Sequence, residues 1–224
     1  MIDRIIQKLE FLFLQWRVNS IDQFKKIGSF DQLESRILEQ HKGQIRPYYE
    51  RYVKNVSRAD MAASLELATF MYTLCKVKRY TKLLDMGSGL SSFVFRLYAK
   101  ETPGVEVYSV DDDAAWLEKT KDYLKQHQLD SKNMFTLGQF TALEESGFDC
   151  ILHDMNFVEV RINYVELVVN AAKKNGLIIM DDVHKPDYRY ALLKKLKSMS
   201  VDTFTLKPLT LDSYGRFAFA VLKK

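Results

Sequence analysis

Three carboxylates that follow apolar runs are the residues in this chain best placed to do chemistry. The run FDCIL at 148–152 leads into His153 and Asp154, and LIIM at 177–180 leads into Asp181 and Asp182. If these runs are neighbouring strands, Asp154, Asp181 and Asp182 converge. Like charges that close force at least one of them to keep a proton. A hard divalent cation with oxygen ligands (magnesium, calcium or manganese) would resolve the conflict another way. The plainer reading has Asp182 capping the segment after it and Asp181 facing water. The pattern alone leaves both open.

A second group lies earlier. KLLDM at 82–86 is a short apolar run that carries Asp85, and Gly87, Ser88 and Gly89 follow as a turn with little side-chain bulk. From Leu90 to Lys100, Leu90, Phe93, Val94, Leu97 and Tyr98 recur at helical spacing. Pro103-Gly104 ends that helix, and Val105 to Val110 is a second strand pattern ending at Asp111, 22 residues after Gly89. Small residues let a ligand approach backbone amides, and a later carboxylate accepts from ribose hydroxyls, so the stretch reads as a nucleoside holder. Ser92 stands where a full dinucleotide fingerprint wants its third glycine. A glycine turn of an ordinary α/β protein is the bland alternative.

The elements that must position these residues alternate. A helix pattern covers 114–128 and a strand pattern 134–137, followed by Gly138 and Gln139. The strand at 148–152 comes next, then a helix from Tyr164 to Lys174 stopped by Asn175-Gly176. The strand at 177–180, a helix from Asp187 to Met199, and strands at 202–206 and 216–222 complete the chain. The last two are joined through Pro208 and should run antiparallel. The expected fold is α/β, a doubly wound Rossmann-like and mostly parallel seven-stranded sheet with an antiparallel last strand. Ligands of such sheets sit beyond the carboxyl ends of the strands. That groups Asp85 to Gly89, Asp111, Gly138, Gln139, Asp154, Asp181 and Asp182.

Residues 1–59 read as a helical extension and 60–224 as the main domain. In 2–18, Ile2, Ile5, Ile6, Leu9, Leu12, Phe13 and Trp16 form an apolar stripe, with Phe11 and Leu14 beside it. We expect it to be covered, by the domain itself or by a second copy as a dimer arm. A membrane-surface helix with Arg4, Lys8 and Arg17 as cations is the less favoured reading, because the charges are mixed in sign. Ser20 and then Ser29 or Asp31 are expected helix caps. Gly43 and Pro47 are expected to mark a break, and a clearer helix spans 60–79. Tyr48, Tyr49 and Tyr52 are a candidate substrate wall.

Composition narrows the class. The 224 residues carry a net charge of +4 with scattered basic residues, which gives no strong nucleic-acid signal. No apolar stretch reaches membrane-spanning length. Asp3, Arg4, Lys8 and Glu10 interrupt any secretory leader. Cys75 and Cys150 read as reduced core residues, so a cytoplasmic location is expected.

Four motifs in order resemble the class I S-adenosylmethionine-dependent methyltransferases: LLDMGSGLSS, VYSVDDDAAWLE, FDCILHD and NGLIIMDDV, with SYGRFAFAVLK similar to the family's antiparallel last strand. The resemblance covers about residues 60–224. It implies that Asp85, Gly87, Ser88 and Gly89 hold the methionine part of the cofactor and that Asp111 takes the ribose. Asp112 would lie on the adenine side, and Asp113 would cap a helix. Gly138, Gln139 and Asp154 complete the implied cofactor set. The acid pairs are similar to those of metal-dependent O-methyltransferases of the catechol, caffeoyl-coenzyme A and sugar types. That implies magnesium on Asp154, Asp181 and Asp182, and methyl transfer to a hydroxyl of a small molecule. The lysine or histidine such enzymes carry just after the strand-four acid is absent, since Met155, Asn156 and Phe157 stand there. Asp154, His184 or His153 remain as candidate bases. The alternatives are a metal-independent methyltransferase acting on nitrogen or a macromolecule, and a non-catalytic cofactor-binding module. A nicotinamide oxidoreductase is more distant.

Overall fold

The computed structural model describes residues 2–27 and 35–224, with side chains from residue 5 onward. The expected caps Ser29 and Asp31, and the side chains of Ile2, Asp3 and Arg4, lie outside the described residues. Five runs rich in Val, Ile, Leu and Phe form the parallel strands β1 (Lys82–Met86), β2 (Glu106–Asp111), β3 (Met134–Thr136), β4 (Phe148–His153) and β5 (Ala172–Met180). β6 (Val201–Thr205) and β7 (Phe219–Lys223) complete a seven-stranded sheet in the order β3-β2-β1-β4-β5-β7-β6. β7 pairs antiparallel with both β5 and β6, as expected for the last strand. β1 and β4 are almost wholly buried, which fits strands covered on both faces.

Helices cover both faces. On one side pack α3 (Ser35–Asn55), α4 (Leu65–Lys78), α5 (Leu90–Glu101) and α6 (Ala114–Gln126), around Phe70, Phe93, Phe95 and Tyr123. α2 (Ile21–Ile27) joins them through Phe24, and Ser20 and Gln23 form its capping pair. On the other side lie α1 (Ile2–Trp16), α7 (Leu137–Leu143), α8 (Val158–Asn163), α9 (Val165–Ala171) and α10 (Pro186–Leu196), around Phe140, Val168 and Leu192. A short turn, α11 (Lys207–Thr210), follows β6. Cys75 and Cys150 are free thiols in the core.

Two local expectations are corrected. α3 runs through Gly43 and Pro47 without a break. Both residues face solvent, so the hydrogen bond lost to proline is lost where water can replace it. The helix expected from Tyr164 to Lys174 is the shorter α9, which ends at Ala171 where β5 begins, and α8 precedes it as a separate helix over Val158–Asn163. Lys173 there meets Asp149 of β4, which ties the early part of the strand to the sheet. The apolar stripe of α1 is not covered by the domain. Ile5, Ile6, Leu9, Leu12, Phe13 and Trp16 are 50–82% exposed, while Leu14 is 2% exposed and makes the docking contact. No described helix is long and apolar enough to cross a membrane.

Candidate active site at the carboxyl ends of the strands

The turn after β1 is built by backbone contact. Gly87 has φ of +113°, and a Cβ there would fall 2.1 Å from the Asp154 carbonyl oxygen. Only glycine lets β1 and β4 close over this point, where the Asp154 amide donates to Met86 O at 2.7 Å. Asp111 at the tip of β2 locks the turn from the other side. Its Oδ2 accepts from the Ser88 amide at 2.7 Å and from Ser88 Oγ at 2.8 Å, and its Oδ1 accepts from the Asp113 amide at 3.0 Å. Three of a carboxylate's roughly four acceptor directions are then used, leaving one for a ligand hydroxyl. Asp113 caps α6, as the resemblance implied, and Trp116 on α6 donates Nε1 to Ser88 O at 2.7 Å.

Beside this turn opens a cleft of about 380 Å³. Gly87, Ser88, Gly89 and Asp111 line one part of it, and Asp154, Asp181 and Asp182 line another. The parallel pairing of β4 with β5 makes this convergence, since His153 is in register with Met180. Asp85, Asp112, Gly138, Gln139 and His184 stand outside the lining. Asp85 is fully buried behind the turn and accepts from Ser92 Oγ at 2.5 Å. Asp112 is exposed, and Gly138 and Gln139 are drawn into α7, where Gln139 pairs with Thr136 as a capping box. His184 holds Nδ1 3.5 Å from Asp182 Oδ1. His153 is buried inside β4, with Nε2 2.8 Å from Arg161 O. Burial pushes its pKa down to about 4 and keeps it neutral. Of the tyrosine wall, Tyr52 reaches the cleft, while Tyr48 packs on Phe93 and His127.

The residue that sequence reasoning missed is Arg161. It is 4% exposed and projects from α8 among the acids. Nη2 lies 2.7 Å from Asp154 Oδ1, and Nη1 lies 3.2 Å from Asp182 Oδ2. Nε donates to Met155 O, and the guanidinium carbon stands 5.9 Å from the centre of the Tyr188 ring. Lys185 adds a second cation, with Nζ 2.6 Å from Asp182 Oδ2. Asp182 sits at a left-handed φ of +60°. Its side chain meets Arg161 and Lys185, and α10 begins without a side-chain cap, so the capping reading of Asp182 is not realised. Asp181 is 7% exposed and does not face bulk water.

The charges divide accordingly. Burial would raise Asp182, but Arg161 and Lys185 outweigh it and hold its carboxyl below the usual range. Burial and then Asp182 push Asp181 up to about 6. Burial raises Asp154 as well; Arg161 pulls it back, and the two neighbouring acids push it further up. One proton among three acids, as like charges require, therefore belongs to Asp154 or Asp181. Among the described residues, no three His, Cys, Asp or Glu side chains are grouped so as to hold a metal ion.

An open parallel sheet with its cleft at the glycine turn is a ligand-binding α/β architecture, and the comparisons give it a family. The methyltransferase-domain family matches over residues 78–214, more than half of the chain. The chain belongs to that family. No curated protein sequence matches it. Among solved structures, the O-methyltransferase from Bacillus cereus, in complex with S-adenosylhomocysteine, is 17% identical with a TM-score of 0.60, over 91% of this chain and 97% of that one. The O-methyltransferase TomG from Streptomyces achromogenes, involved in tomaymycin synthesis and bound to S-adenosylmethionine, is 14% identical with a TM-score of 0.59, over 87% and 93%. The S-adenosylhomocysteine-bound methyltransferase PaMTH1 from Podospora anserina is 14% identical with a TM-score of 0.60, over 91% and 95%. At these identities the likeness is one of fold.

Proposed function

We propose that the protein is an S-adenosylmethionine-dependent methyltransferase that methylates a hydroxyl of a small molecule. The observation that carries this reading is one cleft lined at one part by the glycine turn and Asp111, and at another by Asp154, Asp181 and Asp182. The cofactor fits the first part. Gly87 to Gly89 offer backbone without side-chain bulk, and Asp111 keeps one acceptor direction for a ribose hydroxyl. When bound, S-adenosylmethionine supplies an electrophilic methyl group on sulfur. The acids at the other part receive the acceptor. Whichever of Asp154 and Asp181 (pushed up to about 6) is ionised would take the proton that an attacking hydroxyl gives up as the methyl passes from sulfur to its oxygen and S-adenosylhomocysteine is left.

The magnesium site that the resemblance implies does not fit the residues as arranged. Arg161 is already paired with Asp154 and Asp182, so their oxygens face a fixed cation. Titration calorimetry with S-adenosylhomocysteine tests the reading: micromolar binding is expected, lost in Asp111→Ala. Transfer of labelled methyl from S-adenosylmethionine to a panel of phenols, diols and sugars should follow. No cofactor binding would remove the proposal. Binding without transfer to any hydroxyl would favour the nitrogen, macromolecule or non-catalytic readings.

A further inference from the structure

We infer that Arg161 is a built-in cation that takes the place of a divalent metal between Asp154 and Asp182. Four observations fix it there: the two ion pairs at 2.7 and 3.2 Å, the bond from Nε to Met155 O, and the Tyr188 ring beside the guanidinium. A planar guanidinium suits this position, because its fork meets two carboxylates at once and never loses its charge. A metal entering here would have to displace that side chain from a site where it is almost wholly buried and leave it unpaired, which opposes binding. Lys185, 2.6 Å from Asp182, adds to the barrier against a second positive ion. Nη1 has no hydrogen-bond partner of good geometry, although Arg161 lines the cleft. The exclusion of metal stands on these side chains alone and does not rest on the methyltransferase reading.

The test uses the metal by itself on the full chain. Manganese binding is followed by electron paramagnetic resonance for the unaltered protein, Arg161→Met and Arg161→Lys, with S-adenosylhomocysteine calorimetry on each to show that it is folded. The unaltered protein and Arg161→Lys should bind no manganese below about millimolar concentration. Arg161→Met frees the acids and should gain a site tighter by at least about tenfold. Submillimolar manganese binding by the unaltered protein would overturn the inference even if Arg161→Met does not fold. A folded Arg161→Met that binds no manganese would overturn it equally. Loss of S-adenosylhomocysteine binding by the unaltered protein would instead count against the proposed function and leave the metal result standing.

Discussion

Asp85 is the residue whose chemistry is most at odds with its surroundings. Its Oδ2 accepts from Ser92, its Oδ1 has no partner among the described residues, and no part of the side chain reaches solvent. Burial pushes its carboxyl up to about 7, with Ser92, Ser91 and Arg96 pulling the other way. An unfolded chain ionises the same group near 3.8. Between those values the folded protein holds a proton that the unfolded chain has lost. The stability Asp85 contributes is therefore complete below about pH 4 and is lost as pH rises to about 7, on the order of a few kcal/mol in all. Asp85→Asn keeps the acceptor for Ser92 and cannot ionise. Its melting temperature relative to the unaltered protein should climb from pH 4 to 7 and level off above. Parallel curves across that range would show that Asp85 ionises normally and that the turn is held in some other way.

At the scale of elements, the cleft depends on a tether that spans the chain. Arg216, just before β7, donates Nη1 to Asp60 O and Ala62 O and Nη2 to Ala59 O, each at 3.0 Å. Asp212 holds its Nε at 2.7 Å. The segment so tied carries Arg58, Asp60 and Met61 to the cleft. Hydrogen bonds from a charged donor are worth about 1.5–3 kcal/mol each before non-additivity, so Arg216→Ala should cost roughly 3 kcal/mol of stability. Amide exchange in 58–63 should accelerate at least about tenfold while the sheet stays protected. Unchanged exchange there would mean that α3 and α4 hold the segment without Arg216. The seven strands and the glycine turn were legible because apolar runs, breakers and terminal acids are local signals. Arg216 and Arg161 were not. A buried arginine reads as a surface one until its partners are known, and the Arg216 partners lie more than 150 residues away. The one hint of Arg161 was indirect: no lysine or histidine follows Asp154 where a metal enzyme would place one. Pro47 misled for the opposite reason, because a breaker on a solvent face of a long helix costs little.

At the scale of the molecule, the feature that remains is the outward face of α1. The helix docks on α10 by a narrow seam: Leu14 is buried, Phe11 meets the Tyr190 ring edge-on at 5.7 Å, and Tyr190 donates to Glu10 at 2.5 Å. Just past it, Asn19 joins the edge of the sheet through bonds with Thr203 and Thr205, so the helix is anchored at its C-terminal end. The six large apolar residues opposite that seam are each at least half exposed. A patch of that composition favours association, each buried side chain contributing about 1.5–3 kcal/mol. The helix carries Lys8 but also Glu10, which sits in the seam, so its charges are mixed in sign, and that suits a second copy of the chain better than an anionic membrane surface. Sedimentation velocity at about 10–100 μM should then show a dimer. Leu9→Glu with Phe13→Glu should leave a monomer that still binds S-adenosylhomocysteine, because neither residue lines the cleft. A parent protein that sediments as a monomer throughout would remove the dimer. Flotation of that monomer with anionic vesicles, abolished by the same pair of changes, would hand the face to a membrane instead.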